Sequence, residues 1–166
     1  MKVGLVIARY LASNYIEDIS NVATVPNLRI LDLGYNKIRK ITGLSNHHQL
    51  KQLFLGRNKI ETIEGLDGLP LRILDLQSNR IRSSRGLQSL VELEELYLAY
   101  NGIPVMEDVD SLQKLNTLDL THNFLTSTAG FEGFVSLEYV WVGLSLICKR
   151  KSHTYCCSCL RISSKR

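Results

Sequence analysis

Cysteine is missing from the first 147 residues; all four, Cys148, Cys156, Cys157 and Cys159, lie close to the end of the chain. Nothing before them can build a disulfide framework, which fits an intracellular chain whose stability comes from packing alone. Acidic residues are missing from the other end of the scale, with none after Glu138. Residues 1–144 therefore carry a net charge of −2 and residues 145–166 carry +6, so the overall +4 misdescribes the body. A nucleic-acid role read from net charge alone is excluded on that ground. Long apolar runs are also missing. The opening "MKVGLVIARYLA" is interrupted by Arg9, and the stretch 139–148 ends at Lys149-Arg150-Lys151. Neither reaches the ~20 residues of a membrane span, and the first is short for a signal peptide.

What the chain has is a period. Asn14, Asn36, Asn58, Asn79, Asn101 and Asn123 recur at intervals of 21 or 22 residues, each in the same apolar frame. Leucines stand eight, five and three residues before the asparagine and an aliphatic residue two after it, as in Leu28, Leu31, Leu33, Asn36 and Ile38. A fixed period in the twenties marks a leucine-rich-repeat solenoid, not a globule. The fold class is α/β: a curved parallel sheet on the concave face, joined by short 3-10 or helical turns on the convex face.

Each fixed residue has a physical reason. Leucines two apart face the same side of a short strand, and the residue between them faces the other. The chain must then turn, and the turn strands backbone N–H and C=O groups in the interior. An asparagine amide, both donor and acceptor, can satisfy them and stack from coil to coil. A second apolar set five, eight and eleven residues after the asparagine, such as Ile63, Leu66 and Leu69, lines the return leg. About a dozen residues leave room there for a 3-10 or irregular turn.

The period divides the chain into residues 1–9, an atypical leader; 10–142, the repeat domain; and 143–166, a basic, cysteine-containing tail outside the repeat. Ser145 occupies the seventh asparagine position, and the tail reads as sequence of another origin, such as a translated intron.

Function is expected on the concave face. The residue four before each asparagine position gives the column Tyr10, Asp32, Phe54, Asp75, Tyr97, Asp119 and Trp141, in which aromatic and acidic side chains alternate. At the strand spacing the column spans roughly 30 Å, the width of a small protein face. The neighbouring column is mostly small, with Gln77 the exception, and Tyr35 and Tyr100 flank it. Aromatic anchors between carboxylates suit a protein surface that offers apolar pockets and basic side chains. Catalysis finds no support: His47 replaces an apolar core residue, and His122, three after Asp119, has no nucleophile beside it. No cofactor is expected, nor a metal, because Cys148, His153, Cys156, Cys157 and Cys159 lack the spacing of a zinc knuckle.

The segments "LFLGRNKIETIEGLDGL", "LQSNRI", "GLQSLVELEELYLAYNGI", "LDLTHN" and "SLEYVW" resemble consecutive repeats of the leucine-rich regulatory subunit of protein phosphatase 1, the regulatory subunit 7 family. The resemblance covers about residues 10–142, and "ELYLAYNGI" with the tryptophan two repeats after Tyr97 is its most specific part. It implies a non-catalytic regulator, in nucleus and cytoplasm, whose concave column grips the phosphatase catalytic subunit. It places Asp32, Phe54, Asp119 and Trp141 on partner-binding positions, with Tyr97 matching an aromatic residue and Asp75 a polar one. Where the family has an acid two before the tryptophan, this chain has Tyr139, next to Glu138. The family's further repeats on both sides and its C-terminal cap are absent from this sequence. The expected partner is the phosphatase catalytic subunit, with no nucleic acid and no membrane, and the chain is expected to be a monomer. Two alternatives stay open on the leucine frame alone: an adaptor similar to the axonemal dynein light chain or the spliceosomal A-prime protein, and the product of an imperfect gene annotation.

Overall fold

A computed structural model describes residues 8–21, 25, 27–143 and 160–161. The chain winds as a solenoid whose coils each contribute one three-residue strand: β1 (Ala8–Tyr10), β2 (Ile30–Asp32), β3 (Gln52–Phe54), β4 (Ile73–Asp75), β5 (Glu95–Tyr97), β6 (Thr117–Asp119) and β7 (Tyr139–Trp141). These stack in sequence order, all parallel. A short β8 (Leu160–Arg161) pairs antiparallel with β7. The expectations for Ser145 and for the tail's cysteines fall outside the described residues.

The frame leucines go where the period sends them. Leu31, Leu33, Leu53, Leu55, Leu74, Leu76, Leu96 and Leu98 have no exposed surface, and Ile38, Ile60, Ile81 and Ile103 close the same core from the far side of the turn. The return leg buries Ile63, Leu66 and Leu69 in one coil and Met106, Val109 and Leu112 in another. Its backbone is made of turns, with a 3-10 segment at Phe131–Gly133 and no α-helix among the described residues. The coil is too short to hold one.

Five of the six asparagines bind two coils each. Asn58 Oδ1 accepts the N–H of Ile38 in the preceding coil at 3.0 Å, while Nδ2 donates to the carbonyls of Leu33, in that coil, and Leu55, in its own, both at 3.0 Å. Asn36, Asn79, Asn101 and Asn123 repeat the pattern. Among the described residues Asn14 bonds only to its own coil, to Leu11 and Ala12, and it is exposed.

Two corners of coils two to six use left-handed backbone, and coil one shares the first of them. The residue before the asparagine has a positive φ in six successive coils: Ser13, Tyr35, Arg57, Ser78, Tyr100 and His122. Seven residues after the asparagine stand Gly43, Gly65, Gly86 and Gly130, all with positive φ, and Asp108 takes the same conformation in the coil between the last two. A Cβ on Gly86 would lie 1.9 Å from the carbonyl oxygen of Ile63 in the preceding coil, so glycine is required there for close approach as well as for φ.

His47 fills an apolar return-leg position and remains buried, with Nε2 3.1 Å from the carbonyl of Val25 and Nδ1 3.3 Å from that of Leu44. It is a core histidine lodged between two coils, and its single ring N–H in either neutral tautomer can donate to one of these two carbonyls at a time.

Because Asn101 links four backbone groups across two coils and is only 7% exposed, Asn101→Ala leaves buried groups unpaired. The expected loss is about 1–3 kcal/mol of unfolding free energy. Asn14→Ala, which removes only local, solvated bonds, is expected to change much less. Denaturant titrations of the two variants check the contrast.

Candidate functional site

The strand register sets the site. Tyr10, Asp32, Phe54, Asp75, Tyr97, Asp119 and Trp141 are the final residues of their strands and follow one another as direct Cα partners from β1 to β7. The alternation expected along the concave column is therefore a real ladder in space. Tyr10 is 69% exposed at one end, and Asp32 through Trp141 are half-buried by their neighbours. Tyr139 lies beside Trp141 on the same strand face, the two rings stacked at 6.2 Å and 15°, so the far end of the sheet carries a paired aromatic surface.

The acids of the column have a second duty that their spacing alone does not reveal. Asp32, Asp75 and Asp119 each accept, through Oδ1, the N–H of the residue two further on: Gly34 at 3.0 Å, Gln77 at 2.9 Å and Thr121 at 2.9 Å. These Asx turns bend the chain out of the strand. Thr121 Oγ1 donates to Asp119 as well, and Gln77 Nε2 donates to the second oxygen of Asp75 at 3.2 Å.

A shallow hollow of about 360 Å³ opens over the first half of the column, with Asp32, Phe54 and Asp75 on its wall and Gly34 and Gly56 beneath. The missing side chains make the room: a Cβ on Gly56 would stand 3.1 Å from Asp75 Oδ2. Burial pushes the Asp75 carboxyl up from its ordinary value, and the charges of Asp32 and Asp119 add to the rise, against the hydrogen bonds from Gln77. The Tyr97 phenol is pushed up to about 12, first by burial and then by its 2.8 Å bond to Glu95 and the nearby carboxylates. Tyr97 is thus a fixed hydrogen-bond donor at any ordinary pH.

Some neighbours of the column were not legible from spacing. Glu95, which holds the Tyr97 hydroxyl, belongs to the other outward-facing position of the strand, together with Ile30, Gln52, Ile73, Thr117 and Tyr139. Reading both outward positions instead of one would have found it. His122 does not orient Asp119: its ring stacks on Tyr100 at 4.1 Å, and Asp119 is bonded to Thr121. No group of His, Cys, Asp or Glu among the described residues could hold a metal ion, and no helix there is long and apolar enough to cross a membrane.

Residues 10–46 and 26–68 match the family described as Leucine Rich repeats (2 copies). The fold is that of a leucine-rich-repeat protein. An internalin (inlF) of Listeria monocytogenes is similar over 81% of this chain, with 27% identity and a TM-score of 0.65, and this chain spans 47% of it. The internalin C2 of the same organism matches over 82% of this chain and 70% of its own, with 23% identity and a TM-score of 0.68, a likeness of fold alone. TLR13, solved as a complex with ssRNA13, is 30% identical over 72% of this solenoid, which spans 18% of it, with a TM-score of 0.67. No curated protein matches the chain in sequence.

The direction of the Asp75 shift fixes a pH dependence. A carboxyl whose folded pKa is raised favours the fold while protonated, and that contribution is lost as the pH rises through the folded value. Ionised Asp75 therefore weakens the fold at neutral pH. Asp75→Asn is expected to melt above the parent chain at pH 7, and the gap is expected to close as the pH falls below the carboxylate range. Thermal melts across that range check it.

Proposed function

We propose that this protein is a non-catalytic interaction scaffold that takes a protein partner on its concave face, and that the partner is the catalytic subunit of protein phosphatase 1. The observation that carries the first part is the ladder itself: aromatic and acidic side chains in strict alternation on one rigid, register-locked surface. Phe54, Tyr97 and Trp141 supply large, half-buried rings with little rotamer entropy left to lose, which is what a hot-spot anchor needs. Asp32, Asp75 and Asp119 supply charge for a partner's lysines or arginines. Asp75 gains most from such a pair, because burial has already removed much of its hydration. Tyr139 joins the site through its stack with Trp141.

The second part rests on the sequence resemblance to the phosphatase regulatory subunit, whose partner-binding positions coincide with Asp32, Phe54, Asp119 and Trp141. With that partner the chain is a phosphatase regulator of nucleus and cytoplasm and acts as a monomer.

Binding variants separate anchors from general charge. Phe54→Ala and Trp141→Ala are each expected to cost about 2 kcal/mol or more in affinity for the phosphatase catalytic subunit. Asp32→Asn and Asp119→Asn are expected to cost less, by an amount that shrinks as salt is added. Titration calorimetry at two ionic strengths reads both. Unchanged affinity in the two aromatic variants, with folding verified, removes the concave column as the site.

A further inference from the structure

The turn that each asparagine stabilises also builds an edge to the solenoid, and its charge is confined to part of the array. From one residue before the asparagine to four after it, coil two reads YNKIRK, coil three RNKIET and coil four SNRIRS. Coil two thus carries Lys37, Arg39 and Lys40, coil three Arg57 and Lys59, and coil four Arg80 and Arg82, against the single acid Glu61. The same segments of coils one, five and six, SNYIED, YNGIPV and HNFLTS, have no lysine or arginine at all. Half of the fourteen lysines and arginines of residues 1–144 thus lie in these three segments, while Arg29, Lys51 and Arg72, just before β2, β3 and β4, form a smaller row at the other end of the strands.

Two of these cations are held against aromatic rings, and most of the group has no acidic partner among the described residues. Among the described residues only Arg80 of the group forms an ion pair, with Glu61 at 3.9 Å between two exposed side chains. Lys37 and Arg57 are propped on aromatic rings of the preceding coil. Lys37 Nζ lies 4.6 Å from the Tyr15 ring centre, and Arg57 Cζ lies 4.9 Å from that of Tyr35. A cation–π contact restricts the side chain yet leaves the charge intact. The positions also cost something to keep: Tyr35 and Arg57 occupy left-handed backbone, which glycine would fill with less strain.

We propose that this edge of coils two to four is a docking surface for a short acidic segment of a polypeptide, bordering the concave column, whose hollow Tyr35 and Arg57 help to line. Charge complementarity sets the sign of the occupant, and the extent of the block sets its length. Lys37, Lys59 and Arg80 sit at the same position of successive coils, so the row runs about 10 Å, the reach of three or four residues of extended chain. A single-stranded nucleic acid fits less well. Its binding sites cover about 4–16 nucleotides and use free ring faces for stacking, whereas here the block ends at coil four and Tyr15 and Tyr35 are engaged by their cations.

The test uses the full chain and fluorescence anisotropy with a labelled peptide containing a short run of glutamates. The same peptide with glutamines and a labelled oligouridylate serve as competing probes. Saturable binding of the glutamate peptide, weakened by salt, is expected, with the glutamine peptide inert. Combining Lys37→Glu, Lys59→Glu and Arg80→Glu is expected to weaken it by about tenfold or more. The milder pair Lys59→Gln and Arg80→Gln is expected to give a smaller loss in the same direction, which keeps the result readable if the reversal disturbs folding. Lys51→Glu, a reversal at the opposite edge of the strands, is expected to change little. Absence of binding, an equal loss with Lys51→Glu, or oligouridylate binding as tightly as the peptide would each overturn the proposal. Because the probe is a free peptide, failure of the phosphatase to bind the concave column leaves this result unaffected.

Discussion

One amide side chain per coil, bonded to two coils at once, is the interaction on which the rest of the structure depends. Each coil is too short to bury its own leucines, so it has no independent stability and must share a core with its neighbours. Hydrophobic burial supplies the driving force for that stacking but is indifferent to small slips. The asparagine supplies the register. Its Oδ1 accepts an N–H from one coil and its Nδ2 donates to carbonyls of two, so a displaced coil would leave several polar groups buried and unpaired. The left-handed residue before each asparagine is tolerated because this network over-determines the turn.

Surface display follows from that register. Strands locked as direct neighbours turn a period in sequence into a straight column in space, so alternation of aromatic and acidic residues along the chain becomes alternation along a face. The acids belong to both the fold and the face: Asp32, Asp75 and Asp119 each close a turn with one oxygen, and Gln77 also bonds the second oxygen of Asp75. The same turns present the basic edge next to the column. A partner with basic side chains and an acidic segment close together would meet complementary charge on both surfaces.

The leucine frame and the asparagines were legible in the sequence because each is a repeated solution to one local problem, and repetition stands out from a background of free variation. Leu31 and Leu33 could be assigned to the core and Asp32 to the opposite face from strand alternation alone. Other features depend on where the neighbouring coil lies. Gly86 is needed because the carbonyl of Ile63 approaches it, and Glu95 matters because its oxygen meets the Tyr97 hydroxyl. Asp108 replaces glycine at a left-handed corner, so a search for glycines at that spacing would miss it. His122 stands three residues after Asp119 in sequence, yet its contact is Tyr100 of the coil before, at the same position in the repeat.

The central claim, that the asparagine amides hold the coils in one cooperative unit, is tested most directly by native-state hydrogen exchange at the amides bonded to asparagine Oδ1. Those of Ile38, Ile60, Ile81 and Ile103 lie outside the strands, in turns that would ordinarily open locally. The account predicts that they exchange only with the strand amides of their own coils, with the same opening free energy and the same denaturant dependence. Exchange of these four through cheap, local openings while Leu53, Leu74 and Leu96 stay protected would contradict it.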